Sequence, residues 1–287
     1  MDNSGYILAF TCLDRIGIVA AVTSMLAEND GFILDSQQYA DLDTGRFFMR
    51  LQFQAAGPRL PRTLDAMRRL IAPVAERFAF DWTLVPADAR PKFLLAASRQ
   101  LHCLHDLLHR WHTGQLPIDI VGVASNHDLA RALADRNDLP FFPLPMAKDA
   151  KAERDSELAR LMLETGADYL VLARYMQVLG ADLVARFAGH IINIHHSFLP
   201  GFVGANPYQR AHARGVKLIG ATAHFVTEEL DQGPIIEQAV ERVDHRASVD
   251  DLIAIGRDIE SQVLRRAVAW VAQQRVLPNN GRTVVFR

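Results

Sequence analysis

Cysteine is scarce: Cys12 and Cys103 are the only two in 287 residues, and they lie far apart. That pair supports neither a disulfide framework nor a cysteine zinc site, and it fits a reducing cytoplasm. An excess of one charge is also missing. The 31 Lys+Arg nearly balance 33 Asp+Glu, leaving a formal net charge of -2. No basic field is available for a phosphate backbone, so no nucleic-acid partner is expected. The short Arg68-Arg69 and Arg265-Arg266 patches read as solvated helix faces. No apolar run is long enough to cross a bilayer. The start, Met1-Asp2-Asn3-Ser4-Gly5, has neither the basic nor the apolar region of a signal peptide. A soluble, cytoplasmic protein without a membrane partner is expected.

What is present is ordinary globular composition, 49% hydrophobic and 22% charged, in a chain long enough for two domains. The first part alternates strands and helices. Strands are predicted at 6–12, 32–42, 47–53 and 80–85, with Asp43-Thr44-Gly45 turning a hairpin. Helical spacing of Val19, Val22, Met25 and Leu26, and of Leu64, Met67, Leu70, Ile71 and Val74, predicts the two helices. The order βαββαβ is that of a ferredoxin-like sandwich built on one face of an antiparallel sheet. The proline-flanked stretch 87–91 reads as a linker, which makes 1–86 one domain and 92–287 the other. In the second domain, apolar strands at 93–97, 118–124, 141–144, 169–173 and 191–195 alternate with helices at 101–112, 128–138 and 156–165. A long amphipathic helix follows at 249–274. Strands so apolar are buried on both faces, which predicts an α/β, doubly wound, mainly parallel sheet. Ligands bind at the carboxyl ends of such strands, here after Ala173 and His195.

The densest polar group follows three apolar residues, in Ile191-Ile192-Asn193-Ile194-His195-His196-Ser197 and then Phe198-Leu199-Pro200-Gly201. Alternation puts Asn193 and His195 on one side of a strand, with His196 pointing away while the strand stays extended. An amide donor beside an imidazole suits attack on a carbonyl: the amide stabilises an oxyanion and the imidazole moves protons. A second polar segment runs from Gly220 to Pro234. Thr222 and His224 share a strand face, and Asp231 sits in a loop returning through Gly233-Pro234. An aspartate beside His195 would raise its proton affinity, although spacing alone leaves Asp231 equally readable as a turn former. His102 and His105, and His109 and His112, lie at helical spacing without a ligand pattern, so they read as solvated helix residues and no metal is expected.

Together, Asn-x-His-x-Ser, Leu-Pro, His-Phe-Val and Asp-x-Gly resemble the folate-dependent formyltransferases, the family of glycinamide ribonucleotide transformylase. The resemblance implies catalytic roles for Asn193, His195 and Asp231. It also implies a folate cleft from Met176, Gln177, Val178 and Leu179 with His224, Val226, Thr227 and Glu229; Gln177 stands where members often carry Arg. The amino-terminal half resembles an ACT domain, with Asp14, Gly17 and Ile18 at the usual effector site. ACT domain plus this catalytic domain is the architecture of the formyltetrahydrofolate deformylases. Thr44-Gly45-Arg46-Phe47-Phe48-Met49-Arg50, His102-Cys103-Leu104 and Asn126-His127-Asp128 carry that likeness across the chain. The resemblance implies hydrolysis of 10-formyltetrahydrofolate to formate and tetrahydrofolate, which balances one-carbon pools and supplies formate for purine synthesis. It implies no cofactor beyond the folate substrate and no metal. An amino-acid effector, glycine or methionine, and assembly into a homo-oligomer are further implications.

Water rather than an amine is expected as acceptor. Related transferases seat a nucleotide phosphate on a Gly-rich loop after the first strand, whereas no glycine lies between Gly57 and Gly114 here, and Cβ atoms hinder such a cradle. They also place proline where this chain has His196, a position at which deformylases share histidine. Two alternatives stay open: formyl transfer to an amine acceptor, and a catalytically decayed amino-acid or folate sensor.

Overall fold

A computed structural model describes residues 5–145, 150–200 and 207–287; residues 1–4 and Gly201, both read above, lie outside them. The chain forms two compact units, Met1–Ala89 with Gln273–Arg287, and Arg90–Ala272.

The first unit runs β1 (Tyr6–Leu13), α1 (Ile18–Glu28), β2 (Gly31–Asp41), β3 (Arg46–Ala55), α2 (Leu64–Phe78) and β4 (Asp81–Pro86). Its sheet has the order β2-β3-β1-β4 and is antiparallel throughout. Alternate residues of β1 and β3, among them Leu8, Phe10, Met49 and Leu51, pack against Val22, Leu26, Met67 and Ile71 of the helices.

The second unit begins with β5 (Lys92–Ala97), α3 (His102–His112) and β6 (Asp119–Ser125). A 3-10 turn then leads to α4 (Arg131–Arg136), β7 (Phe141–Pro143), α5 (Lys151–Thr165) and β8 (Tyr169–Leu172). There follow α6 (Ala181–Arg186), β9 (Ile191–His195), α7 (Pro207–Arg214), β10 (Leu218–Phe225), β11 (Ile235–Arg242) and α8 (Val249–Ala272). The seven strands lie in the order β11-β10-β9-β8-β5-β6-β7. Those from β9 to β7 pair in parallel, as their apolar composition predicts. β10 and β11 add an antiparallel edge, because the short loop joining them leaves no room for a crossover. Successive strands move from β5 towards β7 and then resume at β8 on the other side of β5, so the switch point lies between β5 and β8. No helix among the described residues is long and apolar enough to cross a membrane.

The end of the chain departs from the predicted second domain. A hairpin of β12 (Val276–Asn279) and β13 (Arg282–Val285) belongs to the first unit. Leu277 and Phe286 pack on Ala9 and Phe48, the sheet face away from the helices. The Asn279 amide donates to Asp41 at 2.7 Å, and buried Arg50 donates to the Gln273 carbonyl at 3.0 Å. Both faces of β1 and β3 are therefore covered, where one buried face was expected. Burying this apolar hairpin favours the arrangement, and spacing along the chain gives no hint of it. Phe286 is 8% exposed, so Phe286→Ala is expected to cost about 3 kcal/mol in the denaturant unfolding of the first unit. A loss below about 1 kcal/mol would show that the hairpin is not part of that core.

Candidate active site

Strand pairing assembles the site. In the β9–β10 ladder His195 stands opposite Thr222, and Asn193 opposite His224. The β10–β11 register slips at Ala223/His224, a bulge of the kind that re-aims side chains beside functional sites. The loop beyond β10 comes back against the strand it left, where Phe225 N–H donates to the Pro234 carbonyl at 2.9 Å. Gly233 permits that approach, since a Cβ there would lie 1.7 Å from the Phe225 oxygen. Two residues earlier Asp231 adopts left-handed backbone, φ 57°, tolerated by aspartate and common at functional sites. Its Oδ2 lies 3.2 Å from His195 Nδ1, and its Oδ1 lies 3.8 Å from His224 Nε2. The structure thus brings Asn193, His195 and Asp231 together.

Hydrogen bonding sets the protons. His195 Nδ1–H donates to the Asp231 carboxylate, leaving Nε2 buried and without a hydrogen-bond partner among the described residues. His224 Nδ1–H donates to the Phe225 carbonyl at 2.8 Å. Its Nε2 accepts from Asn193 Nδ2 at 3.3 Å, which orients the amide and spares one N–H. Burial pushes the Asp231 carboxyl up, but the His195 N–H outweighs it and holds the group well below the ordinary carboxylate range. An ionised aspartate locking one imidazole nitrogen, with an amide donor alongside, is equipped to add a nucleophile to a carbonyl.

His196 does not point away as expected. β9 ends at His195 and the chain bends, so the two rings lie 4.8 Å apart and line the same cavity. Burial, then the charges of Arg174 and His195, push His196 down to about 4, so its ring is neutral at neutral pH.

The cavity holds about 350 Å³ and also receives Met176, Gln177, Val178, Leu179, Val226 and Thr227, the segments anticipated for a ligand. Glu229 is a correction: its neighbours Glu228 and Leu230 line the cavity instead, while its carbonyl accepts from the Thr227 hydroxyl. His224 also lines the cavity; it is 2% exposed and bonded to Asn193. In the first unit, Asp14 and Gly17 are exposed before α1, Gly17 with φ 97°, whereas Ile18 is in the core at 2% exposure. His105, His109 and His112 are exposed on α3. His102 is not simply solvated: its Nε2 meets Glu260 Oε2 at 2.8 Å.

Sequence reading missed Arg174 and Tyr175, which line the cavity, and Glu260, 1% exposed beneath α3. The available signal was Glu260's place on the apolar stripe of α8 between Gly256, Val263 and Leu264, because a charge there requires a buried partner.

The family described as formyl transferase matches residues 91–268. The formyltetrahydrofolate deformylase of Bacillus subtilis is 47% identical over 99% of this chain and 94% of its own length. A crystal structure of a formyltetrahydrofolate deformylase from Pseudomonas syringae pv. tomato superposes with a TM-score of 0.95 at 45% identity, covering 100% of this chain and 96% of that one. The glycinamide ribonucleotide transformylase 1 of Symbiobacterium toebii matches 69% of this chain and 95% of its own, with a TM-score of 0.64 at 28% identity.

The site also makes a stability prediction. Between the ordinary histidine value of 6.5 and about 4, the unfolded chain binds a proton at His196 that the folded chain refuses. Stability is therefore lost as pH falls through that window. His196→Gln is expected to recover on the order of 2 kcal/mol of the loss between pH 7 and pH 4, read by denaturant titration. An identical pH dependence in both proteins would contradict the buried neutral ring.

Proposed function

The chain belongs to the formyltetrahydrofolate deformylase family, and from that premise we propose how its residues hydrolyse 10-formyltetrahydrofolate to formate and tetrahydrofolate. The cavity takes the folate, with the 174–179 and 226–231 segments as its walls and the formyl carbon beside Asn193 and His195. A water oxygen attacks that carbon, and the carbonyl π pair moves onto oxygen. The Asn193 N–H not engaged by His224 donates to this oxyanion. Asp231 is too weak a base to keep the water's proton, so His195 Nε2 takes it and the imidazolium, balanced by Asp231, adds to oxyanion stabilisation. The oxyanion collapses, the bond from carbon to N10 breaks, and N10 receives the proton from His195. Formic acid leaves and ionises. No step is assigned to a metal or a second cofactor, since amide, imidazole and carboxylate supply the charges the reaction needs.

The observation carrying this reading is the 3.2 Å pairing of His195 with Asp231 on the cavity wall that also holds Asn193. Assembly and regulation are proposed for the first unit. β2 is a sheet edge carrying exposed Phe32, Leu34 and Tyr39, and such edges pair between copies. The exposed Asp14–Gly17 loop is where glycine or methionine would act. A reducing cytoplasm would keep Cys12 and Cys103, both buried and free, as thiols.

Formate release from 10-formyltetrahydrofolate, with no amine present, tests the reaction. Asn193→Ala should lower turnover about 10²–10³-fold, and Asp231→Asn at least as much, with the fold retained. Wild-type turnover in either variant, or formyl loss only after an amine is added, would overturn the reading. Adding glycine or methionine to the same assay tests the effector: a saturable change in rate supports it, and an unchanged rate from both removes it.

A further inference from the structure

Parallel sheets bind anionic ligands in the crevice at their switch point. Here that crevice opens between the segments leaving β5 and β8, and polar groups from both converge in it. Arg174, after β8, is 6% exposed and holds left-handed backbone, φ 63°, which is strained for a residue with a long side chain. Its Nε and Nη2 donate to Gln100 Oε1, after β5, at 3.1 and 2.7 Å. The same Nε lies 3.2 Å from Glu260 Oε2. His102 Nε2 lies 2.8 Å from that oxygen, and Tyr208 donates to Glu260 Oε1 at 2.7 Å. The space for Tyr208 depends on Gly256, one turn before Glu260 on α8, where a Cβ would lie 2.0 Å from the phenol oxygen.

We propose that Glu260 is a built-in anion: it fills the switch-point site, fixes the strained Arg174 turn that launches the 174–179 wall of the substrate cavity, and denies the site to an anionic acceptor. The last part rests on the hydrolase reading; the anion site itself does not. A cation is the other occupant to weigh, since His102, Cys103 and Glu260 have ligand atoms within 4.8 Å of one another. The Arg174 guanidinium on the same carboxylate opposes it. Burial and the Glu260 charge also push the Cys103 thiol up and keep it protonated. The cluster is built as a guanidinium, an imidazole and a phenol around one carboxylate.

The test uses the full chain with Glu260→Ala and Glu260→Gln, titrated with acetate and with inorganic phosphate at constant ionic strength. The Ala variant opens the site, so either anion should raise its melting temperature saturably while the wild type does not respond. Without added anion its KM for 10-formyltetrahydrofolate should rise about tenfold, with kcat changed less than about threefold, and the anion should return KM towards the wild-type value. The Gln variant keeps the shape but not the charge, so its KM should rise and stay raised. The proposal is overturned if anions affect the Ala variant no more than wild type, or if the Gln variant matches wild-type KM. Should the Ala variant not fold, KM of the Gln variant alone decides. Melting reads the anion without turnover, so a failed hydrolase reading leaves that arm intact.

Discussion

A backbone approach that only glycine permits organises the catalytic unit. With Gly233 lying against Phe225, the loop after β10 folds back onto its own strand instead of swinging into solvent. Asp231 is thereby turned, in left-handed backbone, onto two imidazoles that strand pairing has already set side by side. The β9–β10 ladder supplies the other half of the constraint, because the amide and one imidazole sit across from each other in register. A one-residue slip would put both on the wrong face. The chemistry is held by main chain more than by side-chain packing.

Two carboxylates, half-buried Asp231 and buried Glu260, organise separate charge clusters in this unit. Asp231 faces two imidazoles, 3.2 Å from His195 Nδ1 and 3.8 Å from His224 Nε2. Glu260 is held by a guanidinium, an imidazole and a phenol; burial pushes its carboxyl up, and these partners bring it below the ordinary value. In the reading proposed here, the first carboxylate serves the reacting centre and the second a wall of the cavity. Removing Glu260 would strand the Arg174 charge in a poorly solvated place.

Much of this was legible from residue order, and the limits have a physical cause. The period of Val19, Val22, Met25 and Leu26 marked α1, and the apolar runs marked β5, β6, β8 and β9, because these depend on near neighbours. Alternation placed Asn193 and His195 on one face for the same reason. The His224–Asn193 bond, the Glu260 cluster and the destination of the last hairpin each join residues distant in sequence, where no period survives. His196 was misplaced because the extended geometry assumed for it ends one residue earlier. Glu229 was misplaced because a loop, unlike a strand, has no alternation to say which residue faces inward.

The returning hairpin bears on how the protein is made. The first unit is translated before the catalytic unit, yet one face of its sheet waits for Leu277 and Phe286, which follow that unit in the chain. Until those residues emerge, Phe48 lacks its cover, and the nascent chain carries a half-finished sheet throughout synthesis of the catalytic unit. Translation that stops after α8 would leave the catalytic unit whole and the sheet face around Ala9 and Phe48 uncovered.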